Sequence, residues 1–193
     1  MIEYIAQPES EWQHSFVHDQ KNRTKLSTSM FTTGKVIIDP KGVVQSLKNE
    51  AELLLKKPVA KMTKEDIEIA KYHLYDGMSK LQNIQEKGFS SYAPQYYLQL
   101  SKIIGYYAHF QRITLPATSK WDRFLNDPRF RIRYQFQGFD DDQFVSLFNH
   151  ALKRYFSIDA IIRLTLYTLE KLGGFEINGW IIRKQLNPKN SHQ

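Results

Sequence analysis

The chain has 193 residues, with 27 Lys and Arg against 20 Asp and Glu, and no cysteine. That length suits one large domain or one domain with a small appendage, and the missing thiols exclude disulfides, thiolate zinc sites and a cysteine nucleophile, which fits a reducing, cytoplasmic setting. The formal charge of +7 points to anionic partners, and because Lys and Arg are spread along the chain, a phosphate-bearing small molecule is expected before duplex nucleic acid; a solvated basic surface without a partner would have the same composition.

Ile2 to Ile5 reads as a short buried strand with one acid in it. Pro8 opens Glu9-Ser10-Glu11-Trp12, an acidic start suited to a helix N-terminus. Asp19 to Thr24 reads as a polar loop, and Leu26 to Thr33 as a short helix closed by Gly34. Lys35 to Ile38 is β-branched and predicts a strand, followed by the turn Asp39-Pro40-Lys41-Gly42. Residues 1–20 carry Glu3, Glu9 and Glu11 and lack the profile of a signal peptide. Apolar runs such as Val36-Ile37-Ile38 fall far short of the roughly 20 residues of a membrane helix, so no membrane partner is expected.

The pattern changes to helical after Gly42, where a domain boundary is placed. Val43, Leu47, Ala51 and Leu54 form one apolar face, and Lys56-Lys57-Pro58 stops that helix. Thr63 and Asp66 make a near capping box before Ile67, Ala70, Leu74, Met78 and Leu81, with Gly88 as the stop. From about Pro94 to Ile113, Tyr96, Leu100, Ile103, Tyr107 and Phe110 form an apolar stripe. Gln95, Gln99, Lys102, Tyr106 and His109 form a second, polar stripe at the same spacing. That stripe is the pattern of a solvated helix face and equally of a face lining a substrate cleft. Leu115-Pro116 ends the helix, and Ser119 caps a short one through Trp121, Phe124 and Leu125.

Arg129 to Gln137 carries two signals in conflict. Strict alternation of Arg129, Arg131, Arg133, Gln135 and Gln137 with apolar residues argues for a strand, while Asp127-Pro128 and the helical flanks argue for a helix, which is the reading preferred. As a helix it makes Arg129 and Arg133 neighbours, either as a phosphate grip or as a solvated basic patch. Asp140 to Asp142 cap a helix carrying Phe144, Leu147, Phe148, Ala151 and Leu152. Ile158 to Leu172 is the last long helix, broken by Gly173-Gly174. Phe175 to Arg183, with Asn178-Gly179 at its centre, reads as a small hairpin. No internal repeat is present, and the six histidines form no HExxH or comparable zinc pair.

Two stretches together carry a resemblance. One is Ile2-Glu3-Tyr4-Ile5, a helix near Trp12, then Thr33-Gly34-Lys35-Val36-Ile37-Ile38-Asp39-Pro40 leading into a helix; the other is Tyr97-Leu98 to Phe110, followed by Leu115-Pro116 and Ser119-Lys120-Trp121. This resembles the C-terminal part of small bacterial nucleotidyltransferases of the DNA polymerase β-like superfamily, including the kanamycin and lincosamide nucleotidyltransferases. The resemblance implies a mainly α fold: a helical bundle of the substrate-binding type over 43–186, preceded by a small α/β remnant of the nucleotidyltransferase fold over 1–42, with a polar tail over 187–193. It implies transfer of a nucleoside monophosphate from a nucleoside triphosphate to the hydroxyl of a small acceptor with Mg²⁺. Glu3 takes the place of the third catalytic, metal-binding carboxylate. No glycine-serine loop and no Asp-x-Asp pair precedes that strand to complete the metal site, Asp140 to Asp142 sit at a helix start in the wrong domain to substitute, and a lone carboxylate holds Mg²⁺ poorly.

On this reading Gln99, Lys102, Tyr106, His109 and Asp76 meet the substrate, with His109 also a candidate general base, and Arg129 and Arg133 meet phosphate. The alternative is a non-catalytic helical module that binds a ligand or a protein, either a degenerate relative or an antitoxin-like partner. An exposed strand edge left without its sheet makes a second copy of the chain a candidate partner.

Overall fold

The computed structural model describes residues 7–87, 92–154 and 156–178. Among these, all regular structure is helical: nine α-helices, one short 3₁₀ turn and no strand. They are α1 (Glu9–Asn22), α2 (Leu26–Thr33), α3 (Val43–Lys56), α4 (Lys64–Lys87), α5 (Tyr92–Phe110), α6 (Trp121–Asn126), α7 (Pro128–Arg133), α8 (Asp142–Lys153) and α9 (Ile158–Lys171). The helical bundle is as expected, but an α/β remnant is not seen among the described residues. Lys35 to Ile38 belongs to no strand, because β-branched side chains make a strand only where a neighbouring strand accepts the ladder hydrogen bonds. Ile2 to Ile5, with Glu3, lies outside the described residues, as do Gly88, the second half of the expected hairpin and the polar tail.

Each helix has a local cause. Pro8 precedes α1 at the position where a missing N–H costs nothing, with Glu9 and Glu11 in the positive first turn. Thr63 and Asp66 close a reciprocal capping box on α4: Thr63 N donates to Asp66 Oδ2 at 2.9 Å, and Asp66 N donates to Thr63 Oγ1 at 3.0 Å. Pro94 sits in the first turn of α5, which starts at Tyr92. The contest over Arg129 to Gln137 goes to the helix for its first half. Asp127 accepts from the N–H groups of Arg129 and Phe130 at 2.9 and 3.2 Å and starts α7, which ends at Arg133. Arg131 donates to the carbonyls of Phe124 and Leu125 at 2.7 and 3.0 Å, satisfying the end of α6.

Two apolar clusters organise the chain. Phe16, Leu47 and Ala51 are buried between α1, α2 and α3, with Trp12, Phe31, Val43 and Leu54 around them. A larger cluster joins α4 to α9, with Leu74, Leu81, Leu100, Ile103, Ile104, Phe124, Phe144, Phe148, Ile161 and Leu164 fully enclosed. α9 packs on α4, α5 and α8, while α3 packs on α1 and α2. The apolar face of α3 therefore belongs with the helices before it, and the packing divides in the 57–63 connection.

A polar node ties three helices of the larger cluster. Asp141, the N-cap of α8, accepts from Phe144 N at 2.9 Å, from the hydroxyl of Tyr107 on α5, and from the hydroxyl of Tyr167 on α9 at 2.8 and 2.9 Å. Burial alone would raise the Asp141 carboxyl; these three donors, helped by the charge of Lys171, outweigh it and hold the group below its ordinary value.

Candidate anion-binding cleft

The cleft between the two clusters begins with Asp19. This residue is 3% exposed and sits in the last turn of α1. One carboxylate oxygen accepts from Thr24 Oγ1 at 2.8 Å and Leu26 N at 3.2 Å; the other accepts from Thr28 N at 2.9 Å and Thr28 Oγ1 at 3.1 Å. Four donors satisfy both oxygens and lock the α1–α2 corner. At that corner Arg23 adopts the left-handed conformation, φ 55° and ψ 39°, with its N–H on Gln20 O at 3.3 Å. A non-glycine residue there is strained. Its side chain reaches α5, where Nη1 lies 3.4 Å from His109 Nε2.

Arg23 forms part of the wall of two adjoining recesses. The first, of about 240 Å³, is bounded by the α1–α2 corner, the end of α3 and the 57–60 connection, and its cations are Lys21, Arg23, Lys25 and Lys57. The second, of about 280 Å³, is an open trough formed by Arg23, Ser101, Lys102, Gly105 and Tyr106. Among the described residues Asp19 is the one acid along either recess, and its oxygens are already engaged. The far wall is pinned by Arg112, φ 61°, whose Nε donates to Val59 O at 2.9 Å. Lys25 Nζ donates to Gln135 O at 3.0 Å, and burial lowers its pKa.

Tyr106 is held from behind, its hydroxyl 2.5 Å from His73 Nδ1 on α4. Burial pushes this phenol up, with Arg23 pulling it partly back. His109 is shifted down, by burial first and then by the Arg23 charge, against the opposing pull of Asp66 and of the Ala60 backbone. That shift favours the neutral ring, which presents a hydrogen-bonding edge beside the Arg23 guanidinium.

Of the residues singled out in the sequence, the fold brings Lys102, Tyr106 and His109 together around Arg23. Gln99 is elsewhere, and its place in the cleft is a correction. It is 0% exposed and bridges α4 to α9, donating through Nε2 to Leu74 O at 2.9 Å and Thr165 Oγ1 at 3.4 Å. A polar stripe one helix long is interrupted wherever a third helix covers part of it, and α9 covers this position. Asp76 lines neither recess and pairs with Lys80 at 2.6 Å on the same helix. Arg129 and Arg133 are exposed on α7 and line neither recess; Arg133 lies 5.5 Å from the centre of the Tyr134 ring. Glu3 lies outside the described residues. Arg23, Lys21, Lys25 and Lys57 were missed. The only signal was a run of charges at helix ends, which has the same appearance at any solvated corner.

The donor set does not suit a divalent cation. Among the described residues no three His, Asp or Glu side chains gather as a metal site, and the cleft is lined by cations. What it can do chemically is hold negative charge, through one guanidinium, several ammonium groups and a phenol. Comparison with protein-family models, with curated proteins and with solved structures returns no match.

Proposed function

We propose that this chain is a helical ligand-binding module that takes a phosphate-bearing small molecule, of the nucleotide class, in the cleft around Arg23. The observation that carries this reading is the convergence of Lys21, Arg23, Lys25, Lys57 and Lys102 on two joined recesses whose only carboxylate, among the described residues, is spent on four internal hydrogen bonds. Five cations outnumber the carboxylates of Asp19 and nearby Asp66, and an anion relieves the repulsion that remains. Arg23 sits where both recesses meet and would grip phosphate in the planar, two-pronged manner of a guanidinium. Tyr106 and Lys102 would meet the rest of the ligand along the open trough.

This is the recognition half of the nucleotidyltransferase resemblance, and no transfer step is derived from it. Calorimetric titration with ATP, pyrophosphate and adenosine tests it. ATP and pyrophosphate should bind and adenosine should not, and affinity should fall steeply with salt. Arg23→Gln and Lys102→Gln should each weaken binding by about tenfold or more, while Arg129→Gln and Arg133→Gln leave it unchanged. Equal binding of adenosine, or indifference to Arg23→Gln, rejects the reading.

A further inference from the structure

Between α2 and α3 the chain leaves the helical packing. Gly34 departs in extended backbone, φ −70° and ψ 147°, and residues 35–39 form no helix or strand. Ile37 and Ile38 are 86% and 81% exposed, while Val36 is half-buried. Among the described residues no hydrogen bond engages the backbone N–H or C=O of Lys35, Val36, Ile37 or Ile38, whereas the groups on either side are occupied: Gly34 O accepts from Lys48 Nζ at 3.2 Å and Asp39 O from Gly42 N at 3.2 Å. Three consecutive β-branched residues with open backbone groups are a strand in want of a ladder.

The order of the side chains says which strand completes it. Read antiparallel against itself and centred on Ile37, the segment Lys35-Val36-Ile37-Ile38-Asp39 places Lys35 opposite Asp39 of a second copy, Ile37 opposite Ile37, and Val36 opposite Ile38. Alternation puts both Lys–Asp pairs and the isoleucine pair on one side and the two Val–Ile pairs on the other. In a parallel pairing Lys would face Lys and Asp would face Asp, so the charges select the two-fold antiparallel arrangement. Asp39 can serve, because only Oδ2 is occupied, accepting from Gln45 N at 2.8 Å as it starts α3. Pro40 has no N–H and ends the ladder there.

We infer that residues 35–39 are a homodimerisation strand, pairing antiparallel with the same segment of a second copy about a two-fold axis at Ile37. A two-stranded ribbon of this length is a weak interface. The inference is independent of the cleft and would survive its failure.

Sedimentation equilibrium of the full chain should show concentration-dependent dimer between about 10 µM and 1 mM. Lys35→Glu sets two acids opposite two acids and should weaken the dimer by about tenfold. The chain has no cysteine, so Ile37→Cys introduces a single thiol at the axis. Directly opposed residues in an antiparallel pair lie about 4.5–5.5 Å apart at Cα, within disulfide range. Ile37→Cys should crosslink rapidly under mild oxidation, Ile37→Cys with Lys35→Glu about tenfold more slowly, and Leu166→Cys, 52% exposed on α9, not at that rate. A chain that stays monomeric at 1 mM, equal crosslinking at positions 37 and 166, or a dimer unmoved by Lys35→Glu overturns it.

Discussion

Gly77 sits in the middle of α4, where glycine costs about 0.8–1.0 kcal/mol relative to alanine. On propensity alone Gly77→Ala should therefore stabilise the protein. The packing predicts the opposite. A Cβ at position 77 would lie 1.9 Å from Gln99 Oε1, 2.8 Å from Cδ and 3.3 Å from Nε2, so the whole amide must move. Gln99 is fully buried, and moving it sacrifices its bonds to Leu74 O and Thr165 Oγ1. Leaving that amide unsatisfied costs about 1–3 kcal/mol, and crowding a packed core costs about 1–3 kcal/mol more. Against the propensity gain, the net loss is roughly 1–5 kcal/mol. Urea denaturation of Gly77→Ala, Gln99→Ala and the double variant measures it. The methyl that Gly77→Ala adds fits the space that Gln99→Ala vacates, so the double variant should be more stable than the sum of the two singles by over about 1 kcal/mol. A Gly77→Ala protein as stable as the parent, or more so, refutes the reasoning.

Further expectations concern the polar groups. Asp19→Ala should remove four hydrogen bonds to a buried carboxylate and destabilise the protein by about 2–4 kcal/mol in thermal or urea unfolding, with Asp19→Asn losing less. Tyr96, pushed up to about 12 by burial first and then by its tyrosine neighbours, and Tyr107, raised by burial and by Asp141, hold their protons longer when folded than when unfolded. Their contribution is whole below the unfolded value near 10 and is lost as pH rises above it, so stability should fall through the alkaline range while phenolate absorbance appears late and steeply. His109 has the opposite sense: its folded value is lowered, so the unfolded chain takes up the proton first. Its contribution should be whole above about pH 6.5 and decline as pH falls below it, and the slope of stability against pH in His109→Gln should flatten there.

The sequence showed where helices run better than what they touch. Stripes such as Val43, Leu47, Ala51, Leu54 and Tyr96, Leu100, Ile103, Tyr107 announce themselves because burying one face at a period of 3.6 forces apolar residues to those positions. The strand read at Lys35 to Ile38 failed for a physical reason: β propensity is realised only when a second strand takes up the backbone groups, and one chain does not say whether it exists. Gln99 was misplaced because its burial is decided by α9 and by the notch at Gly77, which are distant in sequence. Lys102, Tyr106 and His109 were found because they share one helix face. Arg23 escaped because its role depends on a left-handed backbone at the end of α1 that carries its side chain over to α5, and no glycine marks that turn.

The cleft also joins two packings of unequal strength. Among the described residues Phe16, Leu47 and Ala51 form the small buried apolar centre of α1 to α3, against the extensive core of α4 to α9. Among the described residues the first three helices are tied to the rest through a few polar bonds: Lys25 Nζ to Gln135 O at 3.0 Å, Ser29 Oγ to Tyr134 O at 3.4 Å, and Arg23 to His109 at 3.4 Å. Cations from both sides of that seam crowd together, so an anion bound there relieves repulsion across it and draws the two packings together. A ligand at 100 times its dissociation constant should add about 2.7 kcal/mol to stability. The effect should be uneven: hydrogen exchange of α1 to α3 amides should slow more than that of α4 to α9 when pyrophosphate is added. Uniform slowing, or none in α1 to α3 under conditions where calorimetry reports saturation, would place the bound anion somewhere other than the seam.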